Sequence, residues 1–220
     1  MAYNQFNGKS LLHLNRQPRG AITMNTSYAK AETLTGALFA PLDILRSLAL
    51  VIAFSLLTAL AAQVAIPLPG TVVPITGQTF AVLLTGALLG SRLGALAMFA
   101  YLIEGASGLP FFAAGGSGIG WLLGPTGGYL LSYPVAAFVV GLLSERGWDR
   151  RVLTAAAAMA IGSVVILLGG WAWLARFMAP AAAFNAGVAP FLIGDVVKIA
   201  LAAAVLPTGW AVLRKIKHKD

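Results

Sequence analysis

Charged residues fall in a few short clusters along this chain, and the stretches between them are apolar on every side. No Lys, Arg, Asp or Glu occurs from Ser47 to Ser91. That run is too long for one bilayer crossing, which takes about 20 residues. Pro67, Pro69, Gly70 and Pro74 divide it, because proline lacks a backbone donor and breaks helices. The pattern predicts a first helix over residues 48–66 and a second over 75–89. Arg92 marks a tight turn into a third over 93–104, and further helices are predicted over 129–143, 152–173 and 191–213. The second and third are short for a full crossing, so they are expected to be tilted or extended by irregular backbone buried in protein. A short interfacial helix is expected over 35–45.

Between the third and fourth helices, residues 105–128 are rich in glycine yet carry Phe111, Phe112, Trp121 and Leu122. A solvent linker has no use for such apolar side chains. The segment reads as an ordered loop folded into the end of the protein as a lid, with glycines permitting tight turns and close approach of backbone amides to a ligand. A plain re-entrant loop with no ligand is the other reading.

Composition agrees with the pattern. The 220 residues are 59% hydrophobic and 10% charged, against about 25% charged in a soluble domain. The apolar runs are continuous, unlike the alternation of an outer-membrane barrel. The chain is thus read as an all-α integral membrane protein with six transmembrane helices and a Gly-rich ordered external loop. Residues 1–40 form a polar N-terminal segment with no apolar run long enough for a signal peptide, Met24 offers a second start with nothing before it predicted to be structured, and residues 41–220 form the six-helix membrane domain. Thirteen of the 15 Lys and Arg residues fall on one side of this topology, and Arg176 alone on the other. Positive charge marks the inside, so both termini are expected in the cytoplasm and the Gly-rich loop outside the cell membrane. The net charge of +8 lies in loops beside apolar segments, without the aromatic interleaving of single-strand binders, so no nucleic acid is expected.

The candidate chemistry is sparse. There is no cysteine, and His13 and His218 lie in polar tails, which removes most metal and proton-relay chemistry; no cofactor is expected. Gly105-Ala106-Ser107-Gly108 and Gly115-Gly116-Ser117-Gly118 match an intramembrane serine-protease pattern, but no histidine in a span supplies the base. No P-loop occurs, so uphill transport must draw energy from a partner or an ion gradient. What remains is Asp195 and Lys198, three residues apart on one face of the last helix. Ionisable groups at membrane depth are costly and mark substrate paths; the alternative is that the pair neutralises itself and only joins helices. Glu104 stands beside the Gly-rich loop, and Trp171, Trp173, Tyr129 and Tyr133 sit near span ends, where an aromatic belt is the default. Small residues recur at four-residue spacing at Ala49/Ala53, Ala61/Ala65 and Gly86/Gly90/Gly94, a spacing that lets helices approach closely.

Several of these motifs, in this order, carry a family resemblance. Val73-Pro74-Ile75-Thr76-Gly77-Gln78-Thr79, Leu88-Leu89-Gly90, Gly108-Leu109-Pro110, Gly115-Gly116, Gly124-Pro125-Thr126-Gly127-Gly128-Tyr129 and Gly194-Asp195-x-x-Lys198 resemble the BioY family, the biotin-specific S components of energy-coupling-factor (ECF) transporters. The resemblance runs over about 48–213. It implies a biotin pocket near the external face, covered by the loops after the first and third helices. It also implies energising by separate ATPase and transmembrane coupling subunits, with Ala49 and Ala53 matching the Ala-x3-Ala motif that docks the coupling subunit. No enzymatic activity is expected. Biotin's ureido ring presents N–H donors to Asp195, and a cation, Lys198 before Arg176, holds its carbonyl or carboxylate. Tyr101, Phe112 and Tyr129 are expected against the apolar rings and chain, with Gln78 and loop amides at Gly115, Gly116 and Ser117 completing the contacts. An S component for another small vitamin, or a non-binding membrane scaffold, is the alternative.

Overall fold

A computed structural model describes residues 33–39 and 43–217 of the chain. Most of the polar segment expected over 1–40, with Met24, His13 and His218, lies outside the described residues. The described part is mostly helical: α1 (Leu34–Phe39), α2 (Ile44–Gln63), α3 (Gln78–Leu89), α4 (Ser91–Ala106), α5 (Ile119–Leu123), α6 (Gly127–Ser144), α7 (Val152–Leu174), α8 (Pro180–Gly187) and α9 (Ala189–Lys217). Among the described residues, four helical stretches are long and apolar enough to cross a membrane: α2, α6, α7 and the run from Pro180 to Ile216.

The expected helix over 35–45 is shorter, ending at Phe39. Asp43 then starts α2 four residues ahead of the predicted position, its carboxylate accepting from the Arg46 N–H at 2.7 Å. A side chain that satisfies a free amide of the first turn competes well as a helix start. At its other end α2 stops at Gln63, and the expected last turn is instead a strand. Ala65–Ile66 (β1) pairs antiparallel with Ile75–Thr76 (β2), Ala65 opposite Thr76 and Ile66 opposite Ile75. The prolines between them preclude helix and suit a hairpin tip.

Helix α6 is the centre of the bundle, packed against α3, α4 and α7, while α9 lies on α7 and α3, and α2 on α4. Small residues permit these approaches: a Cβ on Gly86 would strike the backbone of Ala137 in α6, and one on Gly141 the backbone at Gly90. The Gly86/Gly90/Gly94 spacing is therefore internal packing. The tight turn between α3 and α4 passes through Gly90 at φ 85°. It is capped from afar, since Glu145 at the end of α6 accepts from both the N–H and the Oγ of Ser91 at 2.9 Å. Large apolar side chains point outward all round the bundle, Leu60, Leu153 and Ile193 being 70%, 84% and 79% exposed. Such a surface suits lipid, since soluble monomers seldom expose large contiguous apolar patches.

Candidate binding site

The four helices α3, α6, α7 and α9 leave a narrow cavity, partly open to solvent and roofed by the hairpin and by the Gly-rich segment. Asp195 and Lys198 both line it. Their charged atoms stand 3.7 Å apart, an open pair, and each is also held by a hydroxyl on a neighbouring helix. Lys198 Nζ donates to Thr79 Oγ1 of α3 at 2.7 Å, and Asp195 Oδ2 accepts from Ser163 Oγ of α7. The pair thus joins three helices and still faces the cavity.

Gln78 stands at the start of α3, almost fully buried. Its Oε1 accepts from Thr76 Oγ1 at 3.2 Å and from Tyr133 OH at 3.3 Å, and its Nε2 donates to Tyr101 OH. An amide oxygen has two lone pairs and an amide nitrogen two hydrogens, so one N–H of Gln78 remains uncommitted. The site therefore presents an acceptor at Asp195 and donors at Lys198 and Gln78.

Aromatic and aliphatic side chains form the remaining walls: Phe112 and Trp121 from the Gly-rich segment, Tyr129 and Leu130 from α6, Ile166 from α7 and Phe191 from α9. Phe112 and Trp121 lie 6.3 Å apart between ring centroids, and Tyr129 and Phe191 6.4 Å. Phe112 is fully buried and seated directly against Gly105, where a Cβ has no room. The segment that carries it is tied down by backbone bonds from Gly118 to Gly105 at 2.8 Å and from Phe112 to Gly116 at 2.9 Å. Tyr129 donates its hydroxyl to the Gly187 carbonyl at 2.7 Å.

Of the residues expected from sequence, Asp195, Lys198, Gln78, Phe112 and Tyr129 come together around the cavity. Tyr101 stands one layer behind, orienting Gln78 and donating to the Phe111 carbonyl at 3.0 Å. Gly115, Gly116 and Ser117 are outside the lining; Gly116 packs under the Trp121 ring, and Ser117 is exposed. Tyr129 and Tyr133 are not belt residues, being 6% and 2% exposed in the core. Trp171 and Trp173 do lie at the helix end, half-buried, donating to the carbonyls of Pro180 and Gly124 at 3.0 and 2.9 Å. Arg176 stacks on Trp173 at 4.7 Å from the ring centre, and Glu104 accepts from Ser55 on α2, outside the cavity lining. Sequence reasoning missed Ser163, Thr79, Thr76 and Tyr133. Ser163 had a signal, because it and Thr154 are the only hydroxyl side chains in α7.

Comparison with known proteins places this arrangement. The family model described as "BioY family" matches residues 23–215. The chain belongs to the BioY family. Among relatives of this BioY-family chain, a "Probable biotin transporter BioY" of Pyrococcus horikoshii is 43% identical over 73% of this chain and 93% of its own length. A "Biotin transporter BioY" of Rhodobacter capsulatus is 42% identical over 70% and 87%. A solved structure described as the S-component for biotin from an ECF-type ABC transporter superposes with a TM-score of 0.68 at 22% identity, covering 78% of this chain and 92% of that one. At that identity the likeness shows the fold. It is the fold of an S component, and the family match, the relatives named as transporters and the apolar helices make this BioY-family chain a multi-pass membrane protein.

Proposed function

We propose that the chain is the biotin-binding subunit of a cell-membrane importer, with six crossings (α2, α3, α4, α6, α7 and α9) and both termini in the cytoplasm. In this reading residues 41–220 form the membrane domain, and the Gly-rich segment lies at the external face. The observation that carries it is the donor–acceptor set in the cavity: a carboxylate at Asp195, an ammonium at Lys198 and a spare amide N–H at Gln78, under apolar and aromatic walls. A ureido ring needs that set, its N–H groups donating to Asp195 and its carbonyl accepting from Lys198 or Gln78. The thioether ring and valeryl chain suit the walls formed by Phe112, Trp121, Tyr129 and Phe191. The chain itself carries no P-loop, so inward movement draws on ATPase and coupling subunits of an ECF module.

Titration of the detergent-purified protein with biotin tests this reading, followed by tryptophan fluorescence and thermal shift. Trp121 in the cavity wall supplies the signal. A ligand that binds only the folded state raises its stability by mass action, so a saturable rise with biotin, absent with thiamine or lipoate, is the expected result. No response from folded protein refutes the reading. Asp195→Asn and Lys198→Ala are each expected to weaken biotin about tenfold or more, since a buried partner is left unpaired. A pair that only joined helices would lower the melting temperature in these variants while leaving affinity intact.

A further inference from the structure

A second concavity lies well apart from the biotin cavity, on the outer side of α9. It is an open groove of about 580 Å³ between Leu34 and Leu38 of α1 and a strip of α9 that includes Val205, Thr208, Val212 and Ile216. Its one hydroxyl, Thr208 Oγ1, is committed to the Ala204 carbonyl at 2.7 Å. A groove whose one hydroxyl has spent its donor, and whose other lining is apolar, suits hydrocarbon better than a peptide backbone or a sugar.

Its dimensions and charge indicate which hydrocarbon. From Ala204 to Ile216 a helix advances about 18 Å, close to the ~15 Å of one leaflet's hydrocarbon core. Lys215, exposed and just outside the lining, follows Val212 by three residues and Thr208 by seven, so it stands at the margin of the groove's face near its C-terminal end. Arg214, also exposed, points off the opposite flank of the helix. Under the topology proposed above, on which this inference rests, that end meets the cytoplasmic leaflet, where anionic lipids concentrate.

We propose that the groove between α1 and α9 holds an acyl chain of an anionic phospholipid whose headgroup is bound at Lys215. The chain lies along Val205, Thr208 and Val212, and α1 forms the second wall. Lipid bound there adds to the hold of α1 on the bundle, which Thr35 Oγ1 already makes by donating to the Leu88 carbonyl of α3 at 2.6 Å.

The test uses the full chain in detergent, titrated with phosphatidylglycerol or phosphatidylcholine and read by native mass spectrometry. Phosphatidylglycerol is expected to remain bound and phosphatidylcholine to be about fivefold weaker, one basic contact being worth that much. Val205→Trp fills the groove from a position already 55% exposed, so it leaves the core intact and is expected to displace both lipids. Lys215→Glu is expected to abolish the preference for phosphatidylglycerol, whereas Arg214→Glu keeps it. Equal effects of the two charge reversals would reduce the preference to general surface charge and overturn the proposal. So would lipid retention in Val205→Trp, or a disulfide-linked dimer from Thr208→Cys, which would make the groove a contact between copies. Biotin titration of the same samples separates the two readings: a lost lipid preference with an intact biotin response strikes only this one.

Discussion

Asp149 shows how one side chain at the basic end sets a condition on stability. It is 1% exposed in the turn between α6 and α7. Its Oδ2 accepts from Trp210 Nε1 at 2.5 Å, while its Oδ1 has no hydrogen-bond partner. Burial pushes the carboxyl above its ordinary value, against the opposing effects of the Trp210 bond and nearby Arg150. A folded state that holds its proton more tightly than the unfolded one gains stability below the unfolded value near 3.9, and loses that gain as pH rises through the folded value. At neutral pH the charge is therefore a burden. Asp149→Asn keeps an acceptor for Trp210 and removes the charge, so it is expected to raise the melting temperature at pH 7 by about 2–4 °C. It should also flatten the fall in stability on going from acid to neutral pH. Thermal denaturation of both proteins across that range checks the point; a lower melting temperature at pH 7 would show that the charge is satisfied. No pattern in the sequence sets Asp149 apart from its exposed neighbours Arg150 and Arg151, because burial depends on α9 folding back over the turn.

At the level of elements, the helices were legible wherever apolar runs met a strong breaker, and least legible where a distant side chain sets the boundary. The turn at Gly90 was visible in sequence, but its cap comes from Glu145, 54 residues beyond Ser91. The start of α2 depended on Asp43, whose role shows only in its bond to the Arg46 amide. In the Gly-rich segment Phe112 and Trp121 stand in the cavity wall, whereas Gly115 and Gly116 lie outside the lining, Gly116 packing under the Trp121 ring. The candidate site followed the same rule. Asp195 and Lys198 stood out as charges in an apolar run, whereas Ser163 and Thr79 are ordinary hydroxyls until the fold brings them to the pair. The seating of Phe112 on Gly105 gives this element its own prediction. Gly105→Ala places a methyl in the ring's position, and overpacking of this kind costs about 1–3 kcal/mol. The ring is expected to shift and the biotin affinity to fall about tenfold or more, mainly through faster dissociation, which stopped-flow tryptophan fluorescence reads directly. Unchanged dissociation would mean that the roof does not control release.

For the whole molecule, the division between a covered and a bare side of α2 points to how capture is joined to transport. Val51, Ser55, Thr58, Ala59 and Ala62 of α2 are buried in the bundle, whereas Leu48, Ala49, Ile52, Ala53 and Leu56 are exposed on its other side. The proposed biotin cavity lies among α3, α6, α7 and α9 and draws no lining residue from α2. In the proposed reading, binding and docking are carried by different faces, and α2 meets the roof of the cavity through its far end, where Gln63 Nε2 donates to the Pro110 and Phe112 carbonyls at 3.2 and 3.4 Å. The small side chains of Ala49 and Ala53 let a partner helix approach the α2 backbone. Replacing both with Trp adds bulk to lipid-facing positions and leaves the core untouched. The double variant is expected to bind biotin in detergent as the parent does, and to lose co-purification with the coupling subunit and ATP-driven uptake in cells that supply the module. If uptake and co-purification persist, this face of α2 is not where the coupling subunit sits. If biotin binding is lost as well, α2 and the cavity are coupled after all, and the separation drawn from the lining residues fails.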